Sequence, residues 1–176
     1  LSEGKKYLEQ GDYQSAAELF SIALNEKKND PEAKGLYDEA LKQLEKMRLD
    51  AFINKRQTEL SQIYDLKIDF FFKTLSPNRV VETQEMLGKI KKIVDNVSQI
   101  EVPNDPEVKA YNDSFIKWSD NFYKKLANYA SAVNRGSNIV QASNELKPFE
   151  SEADVLNKQL NEFRIKFYHS EPASGK

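Results

Sequence analysis

From Val80 onward, apolar residues return along the chain at alternating intervals of three and four, and this spacing constrains the fold more than any other feature. Val80, Thr83, Leu87, Ile90, Val94 and Val97 form one such series. Val108, Tyr111, Phe115, Trp118 and Phe122 form a second, which slips by one residue to Leu126, Tyr129 and Val133. Leu146, Phe149, Ala153, Leu156, Leu160, Phe163 and Phe167 form a third. Side chains spaced in this way share one stripe of a helix, and such stripes pack at shallow angles against antiparallel neighbours. No segment alternates with period two over the length of a strand, so the chain reads as all-α.

Helix punctuation divides the rest. Asp30-Pro31, Ser76-Pro77 and Asp105-Pro106 each place a capping oxygen before a proline, whose missing N–H costs nothing at the first helical position. Gly11 and Gly136 stand where helices stop, since glycine takes the left-handed conformation without a Cβ penalty. The pattern predicts helices over about 1–10, 12–28, 31–75, 78–100, 105–134 and 138–169. Short links fold the last three back on one another as an up-and-down bundle. The second half of 31–75, with Ile53, Leu60, Ile63, Tyr64 and Phe71 inward, is its expected fourth member. Pro148 interrupts the last stripe and predicts a kink or a fresh helix start.

The first residues have a different character. Gly4-x2-Tyr7, Gly11-Asp12-Tyr13 and Ala16-x3-Phe20-x2-Ala23-Leu24 resemble the tetratricopeptide repeat, a helix–turn–helix unit of about 34 residues. The resemblance covers residues 1–27 as a single repeat. It implies that the small residues Gly4, Ala16 and Ala23 allow close helix approach while Tyr7, Phe20 and Leu24 fill the space between. Because one repeat cannot bury its own apolar face, Pro31 to Met47 is expected to pack on it. The expected organisation is a tetratricopeptide-like hairpin with packing helix (1–48), a four-helix bundle (49–169) and a polar tail (170–176). The family's use of the first repeat helix to line a peptide groove implies Leu1, Lys5, Leu8 and Glu9 as protein-binding residues. The family's Lys/Asn carboxylate clamp has no counterpart, because its places hold Leu1 and Lys5.

Chemistry-bearing patterns are sparse. The formal charge is −2, with 26 Lys and Arg against 28 Asp and Glu, and neither half is strongly basic, so a nucleic-acid track has no electrostatic footprint. Cysteine is absent and His169 is the single histidine, which removes thiol chemistry and multi-histidine metal sites. No glycine pair builds a nucleotide loop, and no cofactor is implied. Carboxylate pairs such as Glu82 with Glu85 and Glu150 with Asp154 lie on single polar helix faces and read as solvated, not catalytic. Phe70-Phe71-Phe72 sweeps about 200° around a helix. It is therefore either buried on every side or an interface, which adds Phe70 and Phe72 to the protein-binding candidates. The resulting expectation is a non-enzymatic module for a protein or peptide partner, able to form a homodimer. The alternative is a small-ligand carrier or enzyme with its site in a bundle cavity.

Lysine far outnumbers arginine, asparagine is frequent and the chain opens on Leu1. This composition is like that of proteins exported by low-GC Gram-positive bacteria. It leads to the expectation of an extracytoplasmic bacterial envelope module, membrane-anchored through a segment upstream of Leu1. A cytoplasmic scaffold is the alternative.

Overall fold

Side-chain caps set the helix starts. The computed structural model describes residues 1–168. Asp12 accepts from the Ser15 N–H at 3.1 Å and opens α2 (Tyr13–Glu26), after α1 (Ser2–Glu9). Asp30 Oδ1 accepts from the N–H groups of Glu32 and Ala33, so α3 (Pro31–Lys73) begins with proline at its first position. Asp105 Oδ1 does the same for Glu107 and Val108 at the start of α5 (Pro106–Arg135). Gly136, at φ 68°, ends α5 in the left-handed conformation.

Two boundaries differ from those expected. Ser76-Pro77 does not open a helix: Ser76 Oγ accepts from the Asn78 N–H in a turn, and α4 (Arg79–Asn96) starts after Asn78. Here successive i→i+3 bonds, from Ser76 N to Lys73 O and from Arg79 N to Ser76 O, take up the chain through Pro77. α4 then tightens into a 3-10 turn, Val97–Gln99. The helix expected over 138–169 is two, α6 (Ile139–Leu146) and α7 (Pro148–Tyr168), because Pro148 has no N–H to continue the ladder and suits a first position. The polar tail over 170–176 and His169 lie outside the described residues.

The chain forms two compact units, Leu1–Ala51 and Phe52–Lys176, with α3 running through the boundary. In the first, Ala16, Ala17, Phe20 and Ala40 are the buried cluster, with Tyr7, Leu8, Leu36 and Tyr37 packed on it. Gly4 lies so close to Phe20 that an added Cβ would stand 2.7 Å from Cε1 of the ring. The absence of a side chain at Gly4 is thus what lets α1 approach α2 so closely. Gly11, at φ 78°, turns the chain between them.

The second unit is an all-α bundle of α3, α4, α5, α6 and α7. Its core contains Phe52, Ile53, Ile63, Phe70, Leu87, Ile90, Val108, Phe115, Phe122, Leu126 and Leu160. On α3 the inward positions also include Arg56, Glu59 and Lys67, while Tyr64, expected inside, is 56% exposed. Arg56 is fully buried and holds three elements at once. It donates to Glu59 at 2.5 Å, to the Val97 carbonyl at 2.6 Å and to Asn112 Oδ1 at 2.5 Å. Its guanidinium also sits over the rings of Phe115 and Phe52.

Among the described residues no helix is long and apolar enough to cross a membrane. For the described residues that finding corrects the membrane-anchored expectation: charged residues interrupt each apolar stripe, so none of these helices is itself the anchor.

Candidate functional site

Within the first unit, the four residues implied by the repeat resemblance have different surroundings. Leu1 is 42% exposed and Glu9 is exposed. Lys5 is exposed and pairs with Glu32 at 2.5 Å, a contact between α1 and the first turn of α3. Leu8 is half-buried against the Ala16 and Phe20 cluster, so much of its surface is taken by packing.

In the second unit, α3 runs to one end of the bundle, α4 leaves from that end, α5 returns to it and α6 leaves it again. Contacts across the helices fix the levels. Phe71 meets Tyr129 at 5.3 Å between ring centres, Lys73 pairs with Glu82 at 3.5 Å, and Lys125 pairs with Glu145 at 2.6 Å. The last turn of α3, the first of α4, the last of α5 and the first of α6 therefore share this end. Phe70 is completely buried there, against Phe71 and Tyr129, and is corrected out of the surface set. Phe72 is two positions further on, about 200° round the helix from it. Phe72 points out, at 68% exposure.

Phe72 does not stand alone. Leu75 is 83% exposed, Val80 60%, Val81 61% and Val140 75%, with Ile139 less so, all in the turns at this end. Sequence reasoning missed these. Val80 lies on the α4 stripe, three residues before buried Thr83, yet is exposed in the first turn of the helix, whereas Leu75 and Val140 lie off any stripe. Exposed apolar residues scattered singly mean little, but a group of them at one end of a bundle marks a surface for association. The Oδ1 of Asn134, on the last turn of α5, is buried and has no hydrogen-bond partner there.

Charge at this end is mixed. Arg79 is exposed at the first position of α4, and Arg135 is exposed at the end of α5, where its Nε donates only to the Ser131 carbonyl of its own helix. Lys73 faces Glu82, and exposed Asp69 and Glu85 lie within a turn of Phe72 and Val81 along α3 and α4. A turn further along, Glu145 is held below the usual carboxylate range by its hydrogen bond to Lys125.

A second feature is a cleft of about 220 Å³ lined by Leu60, Tyr64, Lys67, Trp118, Phe149 and Glu150, among others. Its one buried cation, Lys67, is already paired with Glu150 and lies 4.7 Å from the Tyr64 ring centre. Trp118 donates its indole N–H to the Phe149 carbonyl at 3.3 Å. Lys67, Glu150 and the Trp118 indole are thus satisfied within the cleft. Deeper in the core, burial pushes the Tyr111 phenol well above its usual pKa, against the opposing pull of Arg56. The Tyr111 hydroxyl and Arg56 Nε are both buried without a partner among the described residues.

No protein-family model, curated protein or solved structure matches this chain.

Proposed function

We propose that the chain is a non-enzymatic protein-interaction module, with a tetratricopeptide-like hairpin in its first unit and its main binding surface at the apolar end of its second. The carrying observation is the set Phe72, Leu75, Val80, Val81 and Val140, exposed together in the turns at one end of the bundle, whereas Tyr64, Val155 and Ile165 are exposed on other parts of α3 and α7. Burying such residues against a partner gains about 25 cal/mol per Å² of apolar area removed from water. Support for the hairpin comes from the Gly4–Phe20 approach and the turn at Gly11, both at residues the repeat pattern picks out. A carrier or enzyme reading draws less support, because the buried cation of the 220 Å³ cleft, Lys67, is already paired with Glu150.

The test is photo-crosslinking in the cells that make the protein, with the photoreactive residue placed at Leu75, at Val140 or at exposed Lys92 on the side of α4. The same partner adducts are expected from Leu75 and Val140 and none from Lys92. Equal adducts from all three positions, or none from any, would overturn the reading.

A further inference from the structure

We infer that the cleft between α3, α5 and α7 is a second binding site, apart from the apolar end, for a small organic cation. The ligand is a primary amine on a short arm from one aromatic ring, with the ring against Trp118 and Phe149 and the ammonium on Asp154. The floor of the cleft is apolar and aromatic. Leu60 and Ile63 come from α3, Trp118 and Phe122 from α5 with parallel rings 5.6 Å apart at their centres, and Phe149 from α7 with its ring 5.5 Å from that of Phe122. These rings offer faces and edges to an aromatic guest. The space is about 220 Å³, against the ~150 Å³ of an apolar protein cavity that takes up benzene, so one ring and a short arm fit it.

Charge selects the sign of the ligand. The charged groups lining the cleft are Lys67, Glu150 and Asp154. Lys67 is nine-tenths buried and already paired with Glu150, so an anion would have to displace that carboxylate first. Asp154 is exposed, stands one helical turn beyond Glu150 on the same face of α7, and makes no hydrogen bond or ion pair with any described residue. The lining thus sums to one negative charge, which a monocation neutralises. Widening the count by a turn leaves the sign unchanged. Exposed Asp65, Asp69 and Glu152 stand against exposed Lys117 and Lys147, and the other charges there are paired: Arg56 with Glu59, Asp120 with Lys124, Lys125 with Glu145, and Lys158 with Glu162. An ammonium at this rim donates to the Asp154 carboxylate while it keeps contact with water, and the floor takes the ring.

The test titrates the whole chain with phenethylamine, 3-phenylpropionate, 2-phenylethanol and butylamine, read by the emission of Trp118, the single tryptophan. Phenethylamine should shift the emission saturably. It should bind about three- to fivefold more tightly than the acid or the alcohol, the yield of a partly exposed ion pair, by a margin that shrinks as salt is added. Butylamine, which lacks the ring, should bind more weakly still. Asp154→Asn should bring the amine to the level of the alcohol, whereas Glu152→Gln, which removes an exposed carboxylate on another face of α7, should leave the preference in place. No saturable shift with phenethylamine, equal binding of the three aromatic probes, butylamine as tight as phenethylamine, or equal losses from Asp154→Asn and Glu152→Gln overturns the inference.

Discussion

Replacing Gly4 by alanine isolates the closest helix contact of the first unit. An added Cβ would stand 2.7, 3.0 and 3.1 Å from Cε1, Cδ1 and Cζ of Phe20, where unstrained carbon contacts lie at about 3.5–4.0 Å. The ring must therefore recede by close to 1 Å. Phe20 is fully buried among Ala16, Ala17 and Ala40, so it has no open space to enter and α1 must give way instead. Overpacking of this kind costs about 1–3 kcal/mol. Against it stands the gain from alanine in a helix, at most about 1 kcal/mol and less in a first turn. Gly4→Ala should thus destabilise the first unit by about 0.5–2.5 kcal/mol, the difference of those two effects. Gly35→Ala is the matched control, since it lies in α3 with nothing within 4 Å of its added Cβ, and it should stabilise by about 0.5–1 kcal/mol. Urea unfolding followed by the amide resonances of Ala16 and Ala17 reads this unit by itself. In the double variant Gly4→Ala, Phe20→Leu the two costs should fall short of additive, because the smaller side chain relieves the clash. Equal stabilisation by Gly4→Ala and Gly35→Ala would refute the close approach and the hairpin packing built on it.

Arg56→Met should destabilise the second unit by about 3–5 kcal/mol, by leaving Glu59 buried without its cation, and Arg56→Met with Glu59→Leu should recover much of that in urea titrations of Trp118 fluorescence. Asp105→Ala removes the acceptor of the Glu107 and Val108 N–H groups and should cost about 0.5–2 kcal/mol by thermal unfolding, whereas Asp105→Asn should retain most of the cap. Burial raises the native pKa of Tyr111, so its contribution to stability is fully present below the unfolded value near pH 10 and is lost as pH climbs from there toward the native value. The urea midpoint should accordingly fall more steeply above pH 10 in the parent than in Tyr111→Phe, and identical slopes would count against a buried phenol.

The helical character of the chain and most of its segmentation were legible in the sequence because they rest on local chemistry. Asp30 and Asp105 cap their own helices, Gly136 must stand where φ is positive, and Pro148 cannot continue a ladder, whatever packs around them. Where two local signals competed, as at Ser76-Pro77, only the structure showed that turn bonds from Lys73 to Arg79 delay the helix to Arg79 and that Val80 stays exposed in its first turn. The α3 seam was hidden for a different reason. Arg56, Glu59 and Lys67 occupy inward positions that hydrophobic spacing passes over, and their burial is affordable only because partners from elsewhere in the bundle, Val97 and Asn112 for Arg56 and Glu150 for Lys67, complete their bonds. The candidate surface shows the same division. Phe72 was visible in sequence as one residue of a triplet that cannot all face inward, but Phe70 went to the core and Leu75, Val81, Ile139 and Val140 joined Phe72. Their association depends on four helix termini meeting at one end of the bundle, and residues far apart in the chain acquire that relation only through tertiary packing.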